Sequence, residues 1–123
     1  FATIDAALER WFRSEFRAAQ PEIVARVRAA VLANDPRDYA AHRWVLAQGG
    51  RELIRPVPPI TCPALVMTGE EDSGSTPAMS RAIAAEIAGS ECQILPGQKH
   101  LGLIEEPESF IAPLRGFLGR LPD

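Results

Sequence analysis

The sequence predicts an α/β fold in which a helical half precedes a βαβα half with two parallel strands. Three observations support this prediction. Apolar residues in 1–50 recur at the three- and four-residue spacing of one helix face. Two short apolar runs, at 64–68 and 91–95, are typical of buried strands. A helix-like stretch separates these runs, so the second strand is expected to return parallel to the first.

The helical half is predicted to contain three helices. The first begins at Ile4 and continues to Phe16, and Pro21 opens the second. Asp35 can cap the third helix, and Pro36 suits its first helical position. The residues expected on the buried sides of these helices are Ile4, Leu8, Trp11, Phe12 and Phe16, then Val24, Val27 and Val31, then Tyr39, Ala40, Trp44 and Ala47.

A proline-rich connector is predicted after the third helix, which Gly49 and Gly50 are expected to end. Four prolines within eight residues exclude a helix and favour an extended chain. They are Pro56, Pro58, Pro59 and Pro63. The predicted division is therefore a helical segment at 1–50, a connector at 51–63 and a βαβα part at 64–123.

The βαβα part follows the connector. Strand 64–68 ("ALVMT") leads into Gly69, and a helix is expected from Thr76-Pro77 until Gly89. Strand 91–95 ("ECQIL") precedes a last helix that Pro107 opens. The residues expected on the buried faces are Met79, Ile83 and Ile87 in the first of these helices, and Phe110, Ile111, Leu114, Phe117, Leu118 and Leu121 in the last.

The predicted sheet is incomplete, because two strands do not make an independent sheet and strand 64–68 would leave an apolar edge unpaired. We expect the missing strands to come from an upstream part of the chain or from another chain. The sequence begins with Phe1 and not with Met, so either the chain was cut from a longer one or its start is not the translated start.

The composition excludes several classes of function. A net charge of −3 and the lack of a basic run argue against nucleic acid as a partner. No apolar run approaches the ~18 residues of a membrane span, and no signal peptide is evident. Cys62 and Cys92 are too few for a disulfide framework and are not at metal-ligand spacing. We therefore predict a cytoplasmic protein without metal or cofactor, and without nucleic acid or a membrane as a partner.

Asp72 and His100 are the candidate catalytic residues. Asp72 lies four residues past the first strand, and His100 lies five past the second. The carboxyl ends of parallel neighbours are about 5 Å apart, at the edge where open α/β folds bind ligands. A carboxylate and an imidazole there can form the pair that orients a general base.

Each of these residues also has an ordinary structural interpretation. An Asp after a strand is most often a turn or cap residue, and a single His in a loop is usually solvated. The pair is more specific than either residue, because the topology brings the two together independently of any motif. Glu70 and Glu71, which precede Asp72, are interpreted as turn residues.

The segments "CPALVMTGEED", "TP", "PGQKH" and "EEPESFIAPLRGFL" resemble, in order and spacing, the C-terminal third of α/β-hydrolase-fold enzymes. In that family the catalytic triad follows the order nucleophile, acid, histidine. The resemblance therefore implies that Asp72 is the acid and His100 the histidine. It also implies that Glu105 or Glu106, before Pro107, caps the last helix.

The helical half resembles the cap of 3-oxoadipate enol-lactonase-like hydrolases, through "LERWF" and "FRAAQPEIVARVRAAVLANDPRDYAAHRW". This resemblance implies that 1–50 is a cap segment. It makes Trp11, Phe12 and Trp44 candidates to line an apolar substrate pocket. The alternative is that these three aromatic residues belong to the core of the cap.

The sequence departs from the family in one decisive respect, since it contains no G-x-S-x-G nucleophile elbow. Its serines near the acid, Ser75 and Ser80, do not lie in a strand–elbow–helix context. We therefore expect a C-terminal fragment of an α/β-hydrolase, with cap and βαβα unit, that is inactive alone. The complete enzyme would hydrolyse an ester or lactone, with a nucleophile, Ser or Asp, from the missing N-terminal half.

The alternative hypothesis is a module without catalytic activity, in which Asp72 and His100 are relics. Such a module would oligomerise through its exposed strand edge, so that a second copy of the chain would be its partner.

Overall fold

A computed structural model describes residues 4–52, 55 and 57–121. It has the predicted α/β class. The elements are α1 (Ile4–Trp11), α2 (Ser14–Ala19), α3 (Pro21–Leu32), α4 (Pro36–Glu52), β1 (Leu65–Gly69), α5 (Pro77–Glu86), β2 (Glu91–Leu95), α6 (Gly102–Glu105) and α7 (Pro107–Leu118). In these ranges no helix combines the length and the apolar character needed to cross a membrane. Pro56 of the predicted connector lies outside the described residues.

Strands β1 and β2 pair in parallel, as predicted, from Leu65 opposite Glu91 to Gly69 opposite Leu95. Among the described residues they form a two-stranded sheet. The pairing continues past β1, where the Glu70 N–H donates to the Leu95 carbonyl over 2.9 Å. The two loops at the carboxyl edge therefore start side by side.

The core of the helical half is a cluster of Ile4, Leu8 and Phe12. Valines of α3 and Phe16 pack against this cluster, and the rings of Phe12 and Phe16 stack with centroids 5.4 Å apart. Full burial of an apolar side chain of this size is worth about 1.5–3 kcal/mol. This cluster therefore holds α1, α2 and α3 together.

The prediction of one helix from Ile4 to Phe16 was wrong, because the chain breaks between α1 and α2. Arg13 is extended, with φ −66° and ψ 150°. The Trp11 carbonyl accepts a hydrogen bond from the Leu101 N–H, and the Arg13 N–H donates to the Glu105 side chain. These long-range bonds stabilise the break, and helical spacing alone does not reveal them.

Helix α4 differs from the prediction in its end and in its burial. It continues through Gly49 and Gly50 to Glu52. Glycine ends a helix when it adopts a positive φ, and neither glycine does. Trp44, expected on the buried side, is 65% exposed, because in the described part of the chain no element covers that face.

The buried faces of α5 and α7 are narrower than predicted. Met79 and Ile83 of α5 are more than half exposed, whereas Ser80 and Ile87 are buried. Of the predicted apolar face only Ile87, at the C-cap of α5, is buried, and within the helix the small Ser80 takes the buried position. In α7 Phe117 is buried but Leu118 is 54% exposed, since a sheet of two strands covers only part of each helix.

Gly69 is required by the close approach of the loop that follows β2. A Cβ at this position would lie 2.1 Å from the carbonyl oxygen of Gln98. Because that oxygen belongs to the backbone, which also accepts the Glu71 N–H, a side chain cannot be accommodated by a rotamer change. The glycine fixes how closely the two loops pack.

We expect Gly69→Ala to lower the free energy of unfolding by about 1–3 kcal/mol, the usual cost of overpacking. Gly50→Ala is the matched control, because a Cβ there meets no atom within 4 Å and alanine favours a helix by up to about 1 kcal/mol. Urea unfolding measures both. An unchanged Gly69→Ala midpoint would contradict the close approach.

Candidate active site

Asp72 is held in place by the loop that joins β1 to α5. Its Oδ1 accepts hydrogen bonds from the backbone N–H groups of Gly74 and Ser75, each over 2.8 Å. The Thr68 hydroxyl donates to the Ser75 carbonyl over 2.7 Å and fixes the far side of this turn. The Asp72 side chain is only 5% exposed. The loop therefore presents one carboxylate oxygen, Oδ2, in a fixed direction.

His100 meets that oxygen from the loop after β2. Its Nδ1 lies 2.8 Å from Asp72 Oδ2, and its side chain is 40% exposed. An ionised carboxylate can only accept hydrogen bonds, so Nδ1 carries the proton and donates it. In the neutral imidazole Nε2 is then left as an acceptor, which is the state a general base requires.

Asp72 stays ionised in this setting. Burial by itself would raise the pKa of its carboxyl, but hydrogen bonds from the Ser75 N–H, His100 and the Gly74 N–H outweigh burial, and the pKa is lowered. The carboxylate form is therefore favoured, and with it the Nδ1–H tautomer of His100.

The two loops are also tied together by Glu70. Its Oε2 accepts a hydrogen bond from the Gly97 N–H over 3.0 Å, and Gly97 has φ +65°. Glu70 is therefore more than the turn residue we predicted, because it links the loop of Asp72 to the loop of His100. Glu71 is exposed, as expected of a turn residue.

A cavity of about 590 Å³ opens beside Asp72 and His100. The helical half and the carboxyl edge of the sheet both line it. Its lining residues are Ala7, Arg10, Trp11, Tyr39, Arg43, Leu46, Ala47, Asp72, Gly74, Ser75 and His100. The ring of Trp11 lies over the imidazole of His100, with centroids 6.1 Å apart and planes inclined by 30°.

The three aromatic residues predicted for the pocket occupy different places. Trp11 lines the cavity. Phe12 is fully buried in the helical core and does not line the cavity, which agrees with the alternative interpretation of a core aromatic. Trp44 lies on the exposed face of α4, away from the lining. Of the predicted set, the structure brings together Trp11, Asp72 and His100.

Arg10 and Arg43 also line this cavity, and our sequence analysis missed both. Among the described residues neither guanidinium forms an ion pair. Arg43 could have been found from its helical spacing, because it lies four residues from both Tyr39 and Ala47, which were expected on the buried side of that helix. Arg10 could have been found as the neighbour of Trp11. Apart from Asp72, the described lining residues include no acidic side chain, and with two arginines they give the cavity a cationic character.

Two further groups bear on the chemistry. Ser75 borders the cavity, but it lies in the loop 70–76 and not at a strand–elbow–helix junction, and its backbone N–H donates to Asp72. We expected Glu105 or Glu106 to cap α7. Glu105 instead forms an ion pair with Arg13, and Glu106, at the N-cap position, makes no side-chain cap bond. The described residues contain no group of three or more His, Cys, Asp or Glu that could hold a metal ion.

Comparisons with known proteins identify hydrolases as relatives. The chain is 27% identical over 120 residues to (E)-2-((N-methylformamido)methylene)succinate hydrolase and 29% identical over 105 residues to 3-oxoadipate enol-lactonase 2, both from Acinetobacter baylyi. Among solved structures it superposes on the enol-lactonase from Burkholderia xenovorans LB400 with a TM-score of 0.83 and 32% identity over 97% of the chain. No protein-family model matches the sequence.

The chain spans less than half the length of these relatives. The alignments cover 97% and 85% of this chain, but only 44% and 38% of the two Acinetobacter proteins. The superposition covers 45% of the Burkholderia enol-lactonase.

Proposed function

Because this chain belongs to the α/β-hydrolase superfamily, we propose that it contributes the acid and the histidine of a catalytic triad, together with the cap over the substrate. The enzyme it serves hydrolyses an ester or a lactone. The observation that carries the proposal is the 2.8 Å contact between His100 Nδ1 and Asp72 Oδ2 beside the cavity.

The chemistry follows from the tautomer of His100. A serine from the rest of the hydrolase attacks the acyl carbon while Nε2 of His100 accepts the serine proton. Asp72 stabilises the imidazolium that forms, and the imidazolium then protonates the leaving alcohol or enol. In the second half-reaction His100 activates water, which releases the acid and regenerates the serine.

The free edge of β1 is where the missing strands of the hydrolase sheet could pair. Within the described residues β1 pairs with β2 alone, so its other edge offers free N–H and C=O groups. We propose that the next strand of the hydrolase sheet pairs there, whether from upstream sequence or from a separate chain. The nucleophile would then reach the carboxyl edge that holds Asp72 and His100.

A fusion tests this proposal. The chain is joined behind the part of the Burkholderia enol-lactonase that it does not match, and hydrolysis of lactones and phenyl esters is measured. We expect turnover from the fusion and none from the chain alone, with the intact Burkholderia enzyme as the control. A fusion that unfolds cooperatively yet shows no turnover and no labelling by a fluorophosphonate would contradict the proposal.

The same free edge supports the second candidate, a module that pairs with another copy of itself. Light scattering after size exclusion distinguishes the two. A uniform dimer that persists in the fusion and blocks labelling would favour the module, whereas a monomeric fusion with turnover favours the hydrolase.

The cationic lining further points to a substrate that carries a carboxylate. Arg10 and Arg43 face the same cavity as His100 and have no acidic partner among the described residues. Two of the relatives are named for a succinate derivative and for 3-oxoadipate, which are carboxylates. We propose that one or both guanidinium groups bind the substrate carboxylate through charge-assisted hydrogen bonds.

Arg43→Met in the fusion is therefore expected to raise KM for a carboxylate-bearing ester by about 10- to 100-fold, the value of a charged hydrogen bond. KM for the matching neutral ester is expected to stay the same. Arg37→Met is the matched control, because Arg37 is an exposed arginine of α4 outside the lining. Equal effects on the charged and neutral esters would contradict a carboxylate site.

A further inference from the structure

The loop that carries His100 is attached to the end of α1 on both sides of the imidazole. Before His100, the Lys99 ammonium donates to the Glu9 carbonyl over 3.0 Å. After it, the Leu101 N–H donates to the Trp11 carbonyl over 2.9 Å. Trp11 also places its ring against His100. The helical half thus contacts the candidate base through backbone as well as side chain.

Arg13, in the break just after α1, and Glu105 make a further attachment, which is an ion pair. The Arg13 N–H donates to Glu105 Oε1 over 2.7 Å, and Arg13 Nε donates to Oε2 over 2.5 Å. The Glu105 side chain is 0% exposed, so Arg13 rather than water satisfies its carboxylate oxygens. The hydrogen bond with Glu105 raises the pKa of Arg13 despite partial burial, and the guanidinium stays charged.

A second set of contacts joins the same group. Gln98, two residues before His100 and 2% exposed, donates through Nε2 to Glu106 over 2.5 Å. Glu106 in turn lies 3.6 Å from the Arg13 guanidinium. Residues on both sides of His100 therefore converge on one arginine in the break between α1 and α2.

We propose that Arg13 is a positioning residue for His100, acting through Glu105 to hold the imidazole against Asp72. The catalytic effect of this positioning rests on the proposed function, in which His100 is the general base. Without the pair, α6 and the loop before it keep the Lys99–Glu9 and Leu101–Trp11 hydrogen bonds to α1 but lose the ion pair that anchors α6 to the break after α1. A displacement of about 1 Å at a catalytic group can cost 10²-fold in rate, so a small shift of His100 suffices.

The experiment follows the His100 Nδ1–H proton by NMR in the full chain labelled with ¹⁵N-histidine, and therefore needs no turnover. In Arg13→Leu we expect this proton to exchange with water at least tenfold faster, or to be lost. Both variants keep the backbone N–H that donates to Glu105, but only Arg13→Lys keeps a side-chain charge to pair with Glu105, so it should recover part of the protection. Arg28→Leu is the matched control, because Arg28 pairs with the exposed Asp5 away from this loop.

A merely structural role would give a different result. If Arg13→Leu lowers the melting temperature but leaves the exchange rate unchanged at temperatures where the chain is folded, the proposal is wrong. Glu105→Gln covers the case in which Arg13→Leu does not fold, since glutamine keeps the shape and an acceptor. We expect it to give intermediate exchange, and wild-type exchange in that variant would also overturn the proposal.

The fusion separates this inference from the proposed function. There Arg13→Leu is expected to lower kcat by about 10- to 100-fold with little change in KM. If the unmutated fusion shows no turnover but Arg13→Leu still exchanges the His100 proton faster, the proposed hydrolase function is wrong and the positioning role is supported. Wild-type exchange together with wild-type kcat would disprove the positioning role alone.

Discussion

Replacing His100 with alanine in the fused enzyme is expected to lower kcat by about 10⁴- to 10⁶-fold, as loss of a triad histidine does elsewhere. The reason is that Nε2 of His100 is the group we assign to take the serine proton. Its hydrogen bond from Nδ1 to Asp72 leaves that nitrogen as an acceptor. KM should change little, since the guanidinium groups proposed to bind the substrate remain.

The chain offers its own control for this experiment, because its other histidine, His42, is exposed on α4 and does not line the cavity. His42→Ala should keep wild-type turnover. Single-turnover kinetics with a phenyl ester measure both variants. Turnover within tenfold of wild type in a folded His100→Ala fusion would remove His100 from the mechanism.

Asp72→Asn is expected to lower kcat of the fusion by about 10⁴-fold at neutral pH. The asparagine oxygen can still accept the Gly74 and Ser75 N–H groups, so the loop should keep its shape. The amide NH₂ would then face His100 Nδ1 and favour the tautomer with the proton on Nε2. In that tautomer Nε2 cannot accept the serine proton. The variant therefore keeps the geometry of the loop but loses the general base.

The lowered pKa of Asp72 adds a test on stability in the chain itself. A carboxyl whose pKa is lower in the folded state stabilises the fold above its unfolded value of about 3.9. This stabilisation is lost as the pH falls through the folded-state pKa. In urea unfolding between pH 3 and 7, wild type should have a higher free energy of unfolding than Asp72→Asn at pH 7, and this difference should begin to shrink as the pH falls below about 4. Glu71→Gln, on the same loop but exposed, should show no such difference.

Those parts of the fold that depend on neighbouring residues in the chain could be predicted from the sequence. The two strands and α5 between them follow from short apolar runs and from Thr76 and Pro77, and Thr76 accepts the Met79 N–H as an N-cap. The meeting of Asp72 and His100 could also be anticipated. A parallel crossover fixes which loops share an edge before any side chain is placed.

The parts that could not be predicted depend on contacts between distant residues. The break after α1 is stabilised by Leu101 and Glu105, which lie about 90 residues further along the chain. Apolar spacing does not indicate such partners. The same spacing suggested a buried Trp44, because periodicity shows that a face is apolar but not whether any element covers it.

The attachment of the His100 loop to the end of α1 has a consequence for the recombination of such enzymes. A chimera that exchanges the whole helical half would separate Trp11 and Arg13 from Leu101 and Glu105. A crossover point at Gln20, between α2 and α3, keeps these partners from one parent. The exchangeable unit is then α3 and α4 with Tyr39 and Arg43, and its Val24, Val27 and Val31 must fit the cluster of Ile4, Leu8 and Phe12 that they pack against.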